Sequence, residues 1–455
     1  MMKVSGITAN DLSRYKMVNN KSRYSGPEPQ TLPLPPELVV RTLSYLDQAS
    51  DKKNARLVSK GFAAAGLSSL TSTVYFSTSL IKIGYLSKDL QFSSPILEIA
   101  MHEVVSKYIN TLVCGGTQLS ASYLPLRDFQ NWWATLGKSE TSWPVQKIHS
   151  IYVSRYSQEK LVVSKGEDRN IFLTALERFE KLKCIVFTDA AANEQSQVLP
   201  QPTWPSAVPE GDLWGPSSPY HSFAMCIRSL SEMAIKLHEL SIEGGQNAIS
   251  CCIFSRASSK DYNHLLNVFA SLRKISISVN THQDAYPLCF AGLGRLLTHA
   301  TLLQSLDLKC TGRRRQSRLI LSRVFQSATW PCLKHIGLHG FIMHTDVELI
   351  TFLERHRATI DSVALRSMFL HQKELNSRED SPCEAWKHFF GKLRQRSIKF
   401  QNLDLFQVQD CSNPFEVHPD LAVRANGGKT VLQYLRDGGP NPLTIDTISE
   451  ADVCG

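Results

Sequence analysis

Leu303-Gln304-Ser305-Leu306-Asp307-Leu308, Leu333-Lys334-His335-Ile336-Gly337-Leu338 and Ile360-Asp361-Ser362-Val363-Ala364-Leu365 repeat one hexapeptide pattern three times in close succession. Large apolar residues stand first, fourth and sixth. The fourth and sixth are two apart, so an extended chain turns them to one face, as a short β-strand does. Working outward, the pattern recurs at Leu272/Ile275/Ile277, Leu237/Leu240/Ile242, Leu182/Ile185/Phe187, Ile148/Ile151/Val153 and Ile109/Leu112/Cys114, and again at Phe400/Leu403/Leu405. Hydrophobic residues make up 42% of the chain, so the pattern also arises by chance and its context must decide.

The context is helical. Amphipathic stretches at Asn170–Glu180, Phe223–Leu237, Asp261–Leu272, Asp346–Arg357 and Ala385–Arg394 separate the hexapeptides. From Leu237 to Ile360 the successive intervals are 35, 31, 30 and 27 residues. Strand followed by helix at this period predicts an α/β chain of stacked units whose strands line a parallel sheet. The face opposite the core then carries Glu239, Glu243, Lys274, Asp307, Lys309, His335, His339, Arg366, Asp404 and Phe406. Stacking in sequence order makes Lys309, His335, His339 and Arg366 neighbours. They are the candidate binding residues, read as a basic strip to which histidine charge adds below about pH 6.5.

Residues 77–430 hold this pattern. Inside them, 191–221 contains five prolines before Ser217 and is expected to be a surface loop. Residues 1–31 are polar, end in Gly26-Pro27-Glu28-Pro29, and read as a disordered leader; 431–455 read as a loosely ordered tail. Gly427-Gly428-Lys429-Thr430 lacks the earlier glycine of a phosphate loop, since Val423 stands there, and is expected to be a simple turn.

Residues 32–76 form a different unit. In LPLPPELVVRTLSYLD, Pro35 and Pro36 suit a first helical turn, where amide hydrogens are unpaired, and Glu37 complements the positive end of the helix. Leu38, Val39, Leu43 and Leu46 follow at helical spacing. Lys52–Val58 predicts a second helix capped by Ser50 or Asp51, and Lys60–Ala65 a third capped by Ser59. Three such short helices cannot bury a core alone, so their apolar surface must pack on something else.

The order Leu34-Pro35-Pro36-Glu37-Leu38, Leu43-Ser44-Tyr45-Leu46-Asp47, Arg56-Leu57-Val58-Ser59-Lys60 and Phe62 resembles the F-box motif of filamentous-fungal F-box proteins. It departs where the family usually has leucine and this chain has Lys52 and Ala55. The resemblance implies that Leu34, Pro35, Pro36, Glu37, Leu38, Val39, Leu43, Leu46, Leu57, Val58 and Phe62 meet the Skp-type adaptor, and through it a cullin, of an SCF-type ubiquitin ligase. The region after it resembles the irregular leucine-rich-repeat domain that often follows an F-box, which implies that it recruits a protein substrate; the strip of Lys309, His335, His339 and Arg366 is the candidate contact for that substrate. The asparagine expected three residues after the last apolar position is present only as Asn280; elsewhere Ala190, Gly245, Thr311, Phe341, Met368 and Val408 stand there. A less regular α/β or α+β domain is the structural alternative.

Other chemistry has little purchase. Eleven cysteines without a CxxC pair fit a reduced compartment, cytoplasmic or nuclear. No apolar run is long enough to span a membrane. His335 and His339 share a face but lie about 13 Å apart at strand rise, too far to ligate one ion. Trp132 and Trp133 read as a buried helix face, and Cys251-Cys252 as packing. No catalytic, metal or cofactor constellation stands out, so the chain is not read as an enzyme. A net charge of +9 is mild, and the cluster Arg313-Arg314-Arg315 with Arg318 reads as a solvated loop rather than a nucleic-acid site. The alternatives are an F-box scaffold acting outside a ligase and a basic nucleic-acid-binding solenoid.

Overall fold

The computed structural model describes residues 72–77, 82–86, 89–115, 119–135, 144–188, 220–243, 249–254, 259–280, 286–310, 324–325, 328–343, 345–370, 384–406, 409–410 and 427–439. The chain is of mixed α/β class and divides into two compact units, Met1–Ile235 and Lys236–Gly455. Among the described residues no helix is long and apolar enough to cross a membrane. The eleven F-box-like positions from Leu34 to Phe62 lie outside the described residues, as do the leader 1–31, residues 191–219 of the expected loop, and Arg313–Arg318.

In the first unit β1 (Thr73–Phe76) precedes a hairpin of β2 (Lys82–Leu86) and β3 (Asp89–Ser93) and the short helix α1 (Pro95–Ala100). Next come β4 (Thr111–Gly115), α2 (Leu126–Thr135), α3 (Val145–Lys165), α4 (Glu167–Leu176), β5 (Cys184–Thr188) and α5 (His221–Glu232). β1, β4 and β5 pair in parallel, with Val74 beside Leu112 beside Ile185, and Phe76 beside Cys114 beside Phe187. Two expectations fail here. β1 belongs to the parallel sheet, which therefore begins before residue 77, and the hexapeptide-like Ile148/Ile151/Val153 lies inside α3. Its helical set Ile148, Tyr152, Val162 and Val163 is buried, whereas Ile151 and Val153 are only half-buried. The 3.6-residue period wins over the local alternation because its apolar face is the longer one.

The second unit runs β6 (Glu239–Ile242), β7 (Ile249–Ser250), α6 (Ser259–Phe269), β8 (Lys274–Asn280), α7 (Tyr286–His299), β9 (Ser305–Cys310), β10 (His335–His339), β11 (Ile342–Met343), α8 (Asp346–Arg355), β12 (Ser362–Arg366), β13 (Phe369–Leu370), α9 (Glu384–Gln395), β14 (Asn402–Phe406), β15 (Gln409–Asp410) and α10 (Gly427–Asp437). β6, β8, β9, β10, β12 and β14 pair in parallel in chain order, and β7 also pairs with β8. The register repeats the hexapeptide alignment: Leu240, Ile275, Leu306, Ile336, Val363 and Leu403 lie side by side. The apolar side is the core, with Leu306, Ile336 and Val363 at most 1% exposed. Before each strand one carbonyl accepts two successive amides of the next unit. Gln304 O takes the N–H groups of Lys334 and His335, and Lys334 O those of Asp361 and Ser362. Consecutive helices also pack together, α6 on α7, α8 on α9 and α9 on α10.

Where an asparagine ladder is missing, the chain turns by other means. Gly340 (φ 76°) and Ser367 (φ 48°) adopt left-handed conformations, and the next residues, Phe341 and Met368, are buried. The turn leads into a second small parallel sheet, β11-β13-β15. A Cβ on Gly340 would lie 2.6 Å from the Cys310 carbonyl oxygen, so both space and φ require glycine there. Between α7 and α8, Trp330 Nε1 donates to Leu297 O at 2.9 Å, and Trp330 N donates to His356 Nε2 at 3.0 Å. Accepting that bond leaves the His356 proton on Nδ1, which faces Phe352 O at 2.9 Å.

Three further expectations are also revised. Gly427-Gly428-Lys429-Thr430 is the first turn of α10, not a free turn. α10 packs on β14 and buries Val431 and Leu435, so the ordered domain extends past 430 into the expected tail. Of the residues expected in the 191–221 loop, Tyr220 is buried and His221 begins α5.

Candidate functional site

The face of the second unit's sheet opposite its core is built from alternate strand residues, which stack in three rows across the strands. The first row is Glu239, Lys274, Ser305, His335, Ser362 and Asn402; the second Ser241, Ser276, Asp307, Gly337, Ala364 and Asp404; the third Ser278, Lys309, His339, Arg366 and Phe406. Neighbours within a row are about 4.8 Å apart and rows about 6.6 Å apart. Lys309, His335, His339 and Arg366, singled out from the sequence, are thus brought to one face. They line a shallow depression of about 180 Å³ together with Asp307, Gly337, Ser362, Ala364 and Asp404.

Gly337 and Ala364 form its floor because neither has a side chain that rises above the strand. Gly337 leaves room for Asp307: a Cβ there would come within 2.0 Å of Asp307 Oδ1, which leans across it. That carboxylate oxygen meets His335 Nε2 at 3.2 Å, while His335 Nδ1 lies 3.1 Å from Ser362 Oγ. Burial alone would push the Asp307 carboxyl up, but the His335 bond and charge, with Lys309 and Lys274 nearby, hold it below its usual value. Arg366 Nε donates to Asp404 Oδ2 at 2.9 Å, and a second guanidinium nitrogen reaches the same oxygen. Lys274 pairs with Glu239 at 2.6 Å.

The face is therefore not a uniformly basic strip. Its second row carries two carboxylates, each held by a residue of the candidate set, and its third row carries the cations. His339 also departs from the titrating charge expected of it. Burial, reinforced by the cations of Lys309 and Arg366, holds the His339 imidazole below its usual 6.5, so it is neutral at neutral pH and charges only in more acidic solution. His335 is tied instead into the Asp307–Ser362 bonds.

A second polar constellation, in the first unit, escaped the sequence reading. Asp168 on α4 is 1% exposed and meets His221 Nε2 at 2.6 Å. Glu159 on α3 is 4% exposed and accepts the Leu119 amide at 3.1 Å. Burial pushes the Glu159 carboxyl up to about 7 against the Leu119 bond and the charge of Lys160, with Asp168 adding to the rise. The thiols of Cys114 and Cys226 lie 3.7 Å apart, fully buried. These groups lie far apart in the sequence at no motif spacing; the one local cue is a charged residue on a helix's apolar face, as Glu159 is on α3. Trp133 and Phe129 of α2 are buried against Tyr152, and Trp132 is half-buried beside them, so the tryptophan pair is packing. Among the described residues no cluster of histidine, cysteine and carboxylate is arranged to hold a metal.

Comparison with protein-family models and with curated proteins gave no match.

Proposed function

We propose that the chain is a substrate-recognition subunit of an SCF-type cullin–RING ubiquitin ligase, with residues 32–76 as an F-box that docks the Skp-type adaptor and a leucine-rich-repeat-like solenoid that captures a protein substrate. The observation that carries the reading is the pairing of an F-box-like motif with a sheet of in-register parallel strands whose polar face is open. Stacked units of this kind present an extended surface to a partner chain. The receptor performs no chemistry. It holds a substrate lysine near the charged ubiquitin carrier, contributing proximity and orientation.

The test is affinity purification of the full chain from its source cell, with mass spectrometry of what accompanies it. Wild type should bring a Skp-type adaptor and a cullin, and a Leu34→Ala/Pro35→Ala variant should lose both. Adaptor without cullin would favour an F-box scaffold outside a ligase; neither protein with wild type would end the F-box reading.

A further inference from the structure

From the third row of the open sheet face we infer an anion site: Lys309, His339 and Arg366 together take an acidic side chain, carboxylate or phosphate, from an extended segment of a partner protein. This rests on the reading of the sheet face as a substrate surface. It adds the chemistry of what that surface recognises.

The three residues lie side by side on β9, β10 and β12. Lys309 and Arg366 each stand one strand from His339, about 4.8 Å away at the backbone, and both side chains are long enough to converge above it. Lys309 is exposed and forms no salt bridge with a described residue. Arg366 does pair with Asp404, but both are about half-exposed, and such a pair contributes little, so the guanidinium is readily recruited. The nearest carboxylates are both engaged: Asp307 leans over Gly337 toward His335, away from the third row, and Asp404 holds Arg366. An incoming anion above His339 meets cations from two sides and competes only with an exposed ion pair.

The same arrangement speaks against a nucleic acid. A polyphosphate backbone crossing the sheet would leave the cations within one strand of His339. Among the described residues it would then run past Ser278 toward Glu243, with Asp307 in the second row and the Lys274–Glu239 pair in the first. A single acidic group fits the charge pattern, and a chain of them does not.

Anion binding is coupled to His339. The groups facing it are Lys309 and Asp307 on β9, Arg366 on β12, Asp404 on β14 and His335 on its own strand. The two cations and burial oppose its protonation in the empty site, and a bound anion offsets them. Binding therefore takes up a proton and tightens as the solution becomes more acidic.

The experiment titrates the purified full chain, without adaptor, into four fluorescein-labelled probes: a glutamate-containing peptide, its glutamine counterpart, its phosphoserine counterpart and a single-stranded RNA. At least one acidic peptide should bind about tenfold or more tightly than the glutamine peptide. Lys309→Glu should weaken it about tenfold, while Lys274→Glu, the same charge change elsewhere on the face, should leave it within about twofold. Between about pH 8 and about pH 6 the glutamate peptide, whose carboxylates do not titrate there, should bind more tightly to wild type. His339→Gln should flatten that dependence. Circular dichroism of each variant establishes that it is folded. Equal weakening by Lys274→Glu and Lys309→Glu, RNA binding as tight as the acidic peptides, or no binding by any acidic peptide would overturn the site. Preference for the phosphoserine or the glutamate peptide distinguishes the two sources of the anion. Because no adaptor is present, failure here leaves the adaptor-binding reading untouched, and the reverse also holds.

Discussion

Replacing Glu159 with glutamine should stabilise the protein, and only above mildly acidic pH. Glu159 lies in the first unit on the buried face of α3, with Leu119 N–H donating to its Oε1. In the unfolded chain its carboxyl ionises near the ordinary 4.5; in the folded chain burial delays this to about 7. Between those values the folded state binds more protons than the unfolded one, so stability is fully present below about 4.5 and falls as pH rises through about 7. The gap, taken at about 1.4 kcal/mol for each tenfold in proton affinity, costs about 3 kcal/mol at pH 8. Glutamine keeps an oxygen for the Leu119 amide and cannot ionise. Urea unfolding should therefore find Glu159→Gln more stable than wild type by up to about 3 kcal/mol at pH 8, with the difference shrinking toward zero near pH 5. A variant less stable than wild type at pH 8, or an advantage of equal size at both pH values, would refute the reasoning.

Other perturbations separate the devices of the second unit. His356→Ala removes the acceptor of Trp330 N–H and the donor to Phe352 O in a buried, stacked setting, and should cost about 3 kcal/mol at neutral pH, read as a lower urea midpoint. Burial, with Arg355 adding to it and against the Phe352 bond, holds the His356 imidazole below 6.5, so its contribution is present above that value and is lost as pH falls through the lower folded value; the His356→Ala penalty should shrink accordingly. Gly340→Ala brings a Cβ against backbone at positive φ and should cost about 2 kcal/mol. By contrast, Gly337→Ala meets only the end of the Asp307 side chain, which can swing aside, and should stay within about 1 kcal/mol while releasing His335. Equal losses for the two glycine variants would contradict this distinction.

Much of the second unit was legible because a single physical rule governs it. In-register parallel strands need their apolar residues at one offset, and the hexapeptide alignment states that offset directly, so it foretold the neighbours of His335 and His339. Helix positions followed from 3.6-residue periodicity, as for Asp346–Arg355 and Glu384–Gln395. Three things were not legible. Ile148/Ile151/Val153 matches the strand pattern over six residues but sits on a longer helical face, which a short window does not see. Thr73–Phe76 escaped notice because Thr71 stands where the pattern has its first apolar residue. The third was the charge state of the open face. Sequence order placed the cations together, but the leaning of Asp307 over Gly337 and the suppression of His339 depend on side-chain geometry and on burial. The same holds for Asp168 and His221, separated by 53 residues and joined only by the fold.

The central claim, that this chain is an adaptor-bound receptor, is tested most directly by calorimetric titration of a purified Skp-type adaptor into the purified full chain. The account predicts saturable one-to-one binding that Leu34→Ala/Pro35→Ala abolishes while circular dichroism and the urea midpoint stay unchanged. Absence of heat with a folded wild-type chain, or undiminished binding by the folded double variant, would contradict it.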